Sequence, residues 1–306
     1  MKSSNIGGQA VLEGIMMRNG EKYAVAVRKP NQEIDVCVKS YKSIFPFKKL
    51  GKLPLVRGVI GFIDSLILGM KTLTYSASFY EEEELSAAQE KKEQILMGVI
   101  TVFSIIAAVG IFMVVPYFVS SFFTNITSSR IVLTILEGMI RMGLFLLYIV
   151  FISKMKDIQR TFMYHGAEHK CINCIEQGLD LTVENVRKSS RQHKRCGTSF
   201  LFFVMIVSMI VCFFITAQSQ WMRVGIRLAV MPLIAGISYE IIRLAGNHDS
   251  WLIQVLSRPG MWVQNLTTKE PDDSMIEVAI QAVEAVFDWK EYQRENFGLE
   301  EQEKEC

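Results

Sequence analysis

Hydrophobic positions follow three different patterns along the 306 residues. In the first fifty they are short-period. Lys22–Arg28 (KYAVAVR) and Glu33–Lys39 (EIDVCVK) alternate in the manner of half-buried strands. Asn19-Gly20 signals a tight hairpin before the first, and Pro30-Asn31 a turn between them. Residues 1–50 therefore read as a small antiparallel meander. Ahead of it lies GGQAVLEGIMMR, Gly7 to Arg18. It is either a turn-rich edge strand or a loop whose glycines let the backbone approach something closely.

Residues 51–94 form the second pattern. Lys48, Lys49, Lys52 and Arg57 precede or open an apolar stretch, Leu55 to Tyr75, in which Arg57, Asp64 and Lys71 recur every seven residues. That spacing stripes one face of a helix and predicts an amphipathic helix, on a bilayer or against a bundle, rather than a spanning one. An Asp at mid-bilayer costs about 3 kcal/mol on insertion scales. The acidic run Glu81–Glu84 and Lys91-Lys92 read as a solvated linker.

The third pattern, residues 95–243, is four long apolar runs: Ile95–Phe123 with Pro116 as a kink, Ile131–Ile152, Ser199–Ala217, and Val224–Ile242. Each is long enough to span a bilayer. The second carries Glu137 and Arg141 four residues apart, which predicts a pair facing the bundle interior. The fourth is interrupted by Arg227, Pro232 and Glu240. In 244–306, Ala245–Asp249 breaks the helix, Ser257–Gly260 reads as a turn, and Thr267–Pro271 as a helix start. An apolar stripe follows at Ile276, Ala279, Ile280, Val283, Val286 and Phe287, before a charged tail from Arg294. The predicted fold class is mainly α: a polytopic helical membrane protein with four transmembrane helices and a small N-terminal β meander.

Composition agrees, with 50% hydrophobic residues and a mean hydropathy of +0.25. A net charge of +2 points to no polyanionic partner, so nucleic acid is not expected. The N-terminal residues lack the apolar core of a cleaved signal. Six scattered cysteines are not a secreted disulfide framework. The stretch 153–198 carries nine basic residues, against one in each of the two short loops, 124–130 and 218–223. The basic side stays cytoplasmic. That predicts a cell-membrane protein with both termini and the 153–198 loop inside.

This topology gives meaning to Tyr164–Lys170 (YHGAEHK). On a helix His165, Glu168 and His169 share a face, and the string fits H-x-x-E-H, in which two histidines hold zinc and the glutamate activates water. His193 and Cys196 precede the third span, Glu240 ends the fourth, and His248 follows it, all on the same side. In one model His165 and His169 bind a divalent metal, most simply zinc, with Glu168 as general base and Glu240, His193 or Cys196 completing the shell. In the other, Cys171, Cys174, His193 and Cys196 form a closed structural Cys3His site.

The strings GGQAVLEGIMMR, HGAEHK, RCGTSF, AGISYEIIR and LTTKEPDDSMIEVA together resemble the YqhQ-like family of bacterial membrane proteins over nearly the whole chain. That family has no established function and is loosely described as predicted metal-dependent enzymes. The resemblance implies that Glu13, Arg18, His165, Glu168, His169, Arg195, Cys196, Glu240 and Arg243 belong to its shared motifs, which do not include Cys171 and Cys174. Two function classes follow. One is a metal-dependent hydrolase at the cytoplasmic membrane face, acting on a lipid-linked or peptide substrate in the bilayer it occupies. The other is a non-catalytic scaffold, assembly or insertion factor, or transporter, which Glu137, Arg141 and Arg227 inside the spans would suit.

Overall fold

A computed structural model describes residues 3–43, 45, 51, 53–80, 87–215, 219–247 and 251–298. Lys48, Lys49, Lys52, the Glu81–Glu84 run, His248 and the end of the charged tail lie outside the described residues. Four strands, β1 (Gly7–Val11), β2 (Gly14–Asn19), β3 (Lys22–Arg28) and β4 (Ile34–Ser40), pair antiparallel in sequence order. GGQAVLEGIMMR is thus a hairpin of two strands rather than one edge strand, turning at Leu12-Glu13 with Glu13 at φ 48°.

The strands sit differently from the half-buried expectation. Ala24 and Ala26 on one face of β3 lie in one core, while Tyr23, Val25 and Val27 on the other face lie in a second. The alternation in KYAVAVR is between small and large apolar residues, so both faces are covered. The outer strands are less covered: β1 is half-buried over most of its length, and β4 is half-buried to exposed.

The second core is closed by α1 (Val56–Ala77), through Leu68. Asp64 is buried there and accepts from the Tyr41 hydroxyl at 2.9 Å. Along the predicted stripe Arg57 is half-buried, Asp64 buried and Lys71 exposed, because different neighbours cover successive turns.

Next come α2 (Ala87–Val109), a π-helical turn (Gly110–Val114) and α3 (Val115–Ser121). The wide turn ends two residues before Pro116, which has no N–H to offer the carbonyl four residues back. There follow α4 (Arg130–Ile152), α5 (Lys156–Glu176), α6 (Val183–Lys188), α7 (Gly197–Phe214), α8 (Gln220–Ala229), α9 (Met231–Asn247), α10 (Trp251–Thr267), α11 (Asp273–Glu284) and α12 (Trp289–Phe297).

Among the described residues, three helical stretches are long and apolar enough to cross a membrane: Ile95–Asn125, Ile131–Ile152 and Gly197–Phe214. A fourth is added when the pair α8–α9, bent by 42°, counts as one. That bend precedes Pro232, whose ring excludes the carbonyl of Leu228.

Two local expectations are overturned. The helix α10 runs straight through Ser257–Gly260, with Pro259 inside it. Packing outweighs the local breaker, since Gly260 lies directly against Ser199 of α7. The expected helix start at Thr267–Pro271 is instead the last residue of α10 and an irregular link after it; Asp272 caps α11 by accepting from the Met275 N–H at 2.9 Å. Proline disfavours helical backbone in the residue before it, which delays the start.

The sheet, α5, α6, α11 and the Tyr292 end of α12 share one core. The apolar stripe of α11 fills it, Ile276, Ala279 and Val283 being fully buried. Segments far apart in sequence thus make one unit at one end of the apolar bundle. The helix α5 leads into it from α4, and α7 leads out.

Candidate metal centre

The helix α5 has two different faces. One, with Tyr164, Ala167, Cys171, Ile172 and Ile175, lies in the sheet-and-helix core. The other carries His165, Glu168, His169 and, two turns beyond His169, Glu176. Cys196 arrives from the N-cap position of α7. One ligand atom each from His165, His169 and Cys196 lie within 4.8 Å of one another. The His165 Nε2 is 3.3 Å from Cys196 Sγ, and a tetrahedral zinc site places nitrogen and sulfur ligands about 3.5 Å apart.

The ring orientations suit metal binding. The His165 Nδ1 lies 2.9 Å from the Thr267 carbonyl oxygen and the His169 Nδ1 2.6 Å from that of Arg191. With Nδ1–H donating to each carbonyl, both Nε2 atoms present lone pairs, the arrangement in which ligand histidines are held by outer hydrogen bonds. Gly166 makes the first of these possible. A side chain there would collide with the Lys269 carbonyl, and only a glycine lets the strip 267–271 cross α5 so closely. The strip is also held by the Lys269 N–H donating to Phe162 O at 2.9 Å.

Without a metal the three groups polarise one another. Burial pushes the Cys196 thiol up, but His165 and His169 outweigh it and hold it well below its usual value. Burial pulls His165 down, and the Cys196 sulfur, helped by Glu168, raises it instead to about 9. The Thr198 N–H at the start of α7 also donates to the sulfur, at 3.4 Å.

Glu168 lines the same cavity, of about 90 Å³, with His165, His169, His193, Arg195 and Cys196. Strand β1 closes one wall through Gly7 and Gly8. A Cβ on Gly8 would stand 2.7 Å from the Met16 carbonyl oxygen and 3.0 Å from the Glu168 carboxyl carbon. The close approach expected of this glycine-rich stretch is therefore made onto the candidate general base itself.

His193 and Arg195 border the cavity but serve another group. The His193 Nε2 is 3.6 Å from Glu176 Oε2, and Arg195 pairs with Glu176 and Ser3. Burial would raise the Glu176 carboxyl, yet His193 and Arg195 hold it down at about 2. Gln264 fixes the His193 backbone on both sides, accepting from its N–H at 2.9 Å and donating to its carbonyl at 2.8 Å. Neither Glu176 nor Gln264 was singled out from the sequence. For Glu176 a signal existed, its seven-residue spacing from His169.

Glu240 does not join the cluster. Both its oxygens are taken by the Arg57 guanidinium, and it accepts from the Leu55 N–H at 3.3 Å. The charged partner of this glutamate comes from α1, which sequence spacing does not reveal. Arg243 lies exposed on the same helix. Glu13 pairs with Arg160 and accepts from the Tyr164 hydroxyl at 3.3 Å, pinning the β1–β2 turn to α5. Arg18 donates to the Gly20 carbonyl at 2.9 Å and stacks over Tyr41.

The closed Cys3His alternative fails on geometry. Cys171 is fully buried in the core, and Cys174 points its sulfur at the carbonyls of Leu179 and Asp180. Among the described residues, His165, His169 and Cys196 are the one group of three such side chains close enough to share an ion.

A family model described as a protein of unknown function, DUF1385, matches residues 53–289. The chain belongs to that family. The chain is 38% identical over 286 residues to the uncharacterized protein YqhQ of Bacillus subtilis strain 168, covering 90% of each. No solved structure matches. The family match spans α5, the Cys196 turn and α11, so the candidate centre lies within it; Gly8 and β1 lie ahead of its start.

Proposed function

We propose that this chain is a membrane-embedded, metal-dependent hydrolase whose site faces the cytoplasm. The observation that carries the reading is the pair of imidazoles with Nδ1 tied to main-chain carbonyls and Nε2 gathered at Cys196, beside a carboxylate in the same cavity. His165, His169 and Cys196 would hold the ion, zinc being favoured by two nitrogens and a thiolate. When bound, such an ion polarises water or a carbonyl or phosphoryl oxygen. Three protein ligands leave a fourth position for water or substrate. Glu168 would take the proton from the attacking water.

A second, larger cavity of about 230 Å³ shares His193 and Arg195 with the first and is lined further by Asn173, Glu176, Gln192 and Lys194. Its polar walls suit the head of a lipid-linked or peptide substrate. Orientation comes from the basic residues of 153–198. The exposed Trp251 and Trp262 on α10 support a site at the level of the membrane interface.

Glu168→Gln tests the catalytic part. It should keep metal content and thermal stability, and fail to complement a strain lacking the protein, since loss of a general base costs about 100- to 10,000-fold in rate. Full complementation by Glu168→Gln would remove the hydrolase reading and leave a metal-stabilised membrane scaffold.

A further inference from the structure

The apolar bundle holds a second cluster whose charges do not balance. Glu137 and Arg141 of α4, Arg227 of α8, Ser208 of α7 and Tyr117 of α3 converge there. The Arg141 Nη2 donates to Glu137 Oε1 at 2.8 Å, and the Arg227 Nη1 donates to the same oxygen at 2.6 Å. The Arg141 Nη1 donates to Ser208 Oγ at 2.7 Å. Glu137, Arg141 and Arg227 are 5%, 4% and 5% exposed. Two guanidinium groups share one carboxylate, +2 − 1 = +1, in the interior of the bundle.

The chain has no second acid to offer from these helices. Between Ile95 and Ile152, and again between Gly197 and Tyr239, Glu137 is the one acidic residue against Arg130, Arg141, Arg223 and Arg227. The Nε atoms of Arg141 and Arg227 are buried and have no hydrogen-bond partner among the described residues. The face of Tyr117 meets the Arg227 guanidinium at 4.9 Å, and Arg223 lies at 5.7 Å from the same ring. Cation–π contact offsets part of the cost and supplies no counter-charge. An uncompensated charge buried in an apolar bundle is strongly unfavourable, and such groups mark ligand or ion sites.

We propose that this cluster is an intramembrane anion site that takes a phosphate group. Guanidinium groups with open N–H donors match phosphate oxygens in planar, paired geometry, and a single negative charge on a phosphate group would neutralise the cluster. Arg141 and Ser208 each lie eleven residues from the helix ends that join the sheet-and-helix unit, about 16 Å by helical rise. The site is thus separate from the metal centre and belongs to the far half of the bundle. There a lipid headgroup is the nearest phosphate, with free phosphate the alternative source. The proposal rests on the membrane-spanning part of the reading above and not on its catalytic part.

The test uses the full-length protein in detergent, with Tm measured against added short-chain phosphatidate, diacylglycerol of the same chain length, and inorganic phosphate. Phosphatidate should raise Tm saturably where diacylglycerol does not. A matching rise with inorganic phosphate would assign the site to free phosphate, while a rise with phosphatidate alone assigns it to a lipid. Arg227→Gln should abolish the shift. Glu137→Gln, which removes the internal competitor for the arginines, should enlarge it and serves as the readout if Arg227→Gln does not fold. No shift with either phosphate, an equal shift with diacylglycerol, or shifts unaltered in the variants would overturn the proposal. Metal content is read separately, so a failure here leaves the metal centre standing.

Discussion

Thiols on the two sides of α5 meet opposite circumstances. Cys171 and Cys174 reach into the core, where burial pushes the first well above its usual range and the second to about 11. Cys196, just as buried, meets two imidazoles and is held down. Burial alone makes a cysteine an inert apolar filler. Burial beside histidines whose far nitrogens are already committed makes it a candidate ligand. What separates the two is the segment lying over each face: the sheet and α11 over one, the 190s loop and the 267–271 strip over the other.

That contrast can be sharpened, beginning with Glu176. Its carboxyl is depressed from 4.5 to about 2 on folding. A depressed carboxyl contributes stability that is present above its unfolded value and lost as pH falls through its folded one. Glu176→Gln should therefore cost up to about 3 kcal/mol near neutral pH, with the deficit shrinking between pH 4.5 and about 2. Chemical denaturation of wild type and variant across that window checks it. A constant difference at all pH values would mean that the charge on Glu176 contributes nothing.

Gly8→Ala comes next. The new methyl meets the Met16 carbonyl and the Glu168 carboxyl carbon, overpacking of the kind that costs about 1–3 kcal/mol. It should also displace Glu168, so complementation should fall further than stability does. Equal stability and full complementation would mean that β1 does not confine Glu168.

The smallest effect belongs to the core face. Cys171→Ala with Cys174→Ala should lower stability by about 1 kcal/mol per site and leave metal stoichiometry unchanged. Loss of metal from that double variant would move the centre to the other face of the helix.

Much of this arrangement was legible in the sequence. The 3.6-residue period put His165, Glu168 and His169 on one face, and the span count brought Cys196 to the same end of the bundle. The Glu137–Arg141 pair followed from its spacing and from the cost of charge among apolar residues. Side-chain partners between distant segments were not legible. Glu240 is captured by Arg57 and His193 faces Glu176, pairings that depend on how α1 packs on α9 and how the 190s loop folds over α5. Local breaker rules failed at Pro259 for the same reason, because α10 is held by α7.

The account rests on His165, His169 and Cys196 sharing one ion. Elemental analysis of the full-length protein, purified without chelator and then titrated with zinc, addresses that directly. The account predicts one equivalent of tightly held zinc in wild type and in the Cys171→Ala, Cys174→Ala double variant, and its loss in His169→Ala and in Cys196→Ser. Zinc binding that is absent from wild type, or that survives both ligand variants, would contradict it.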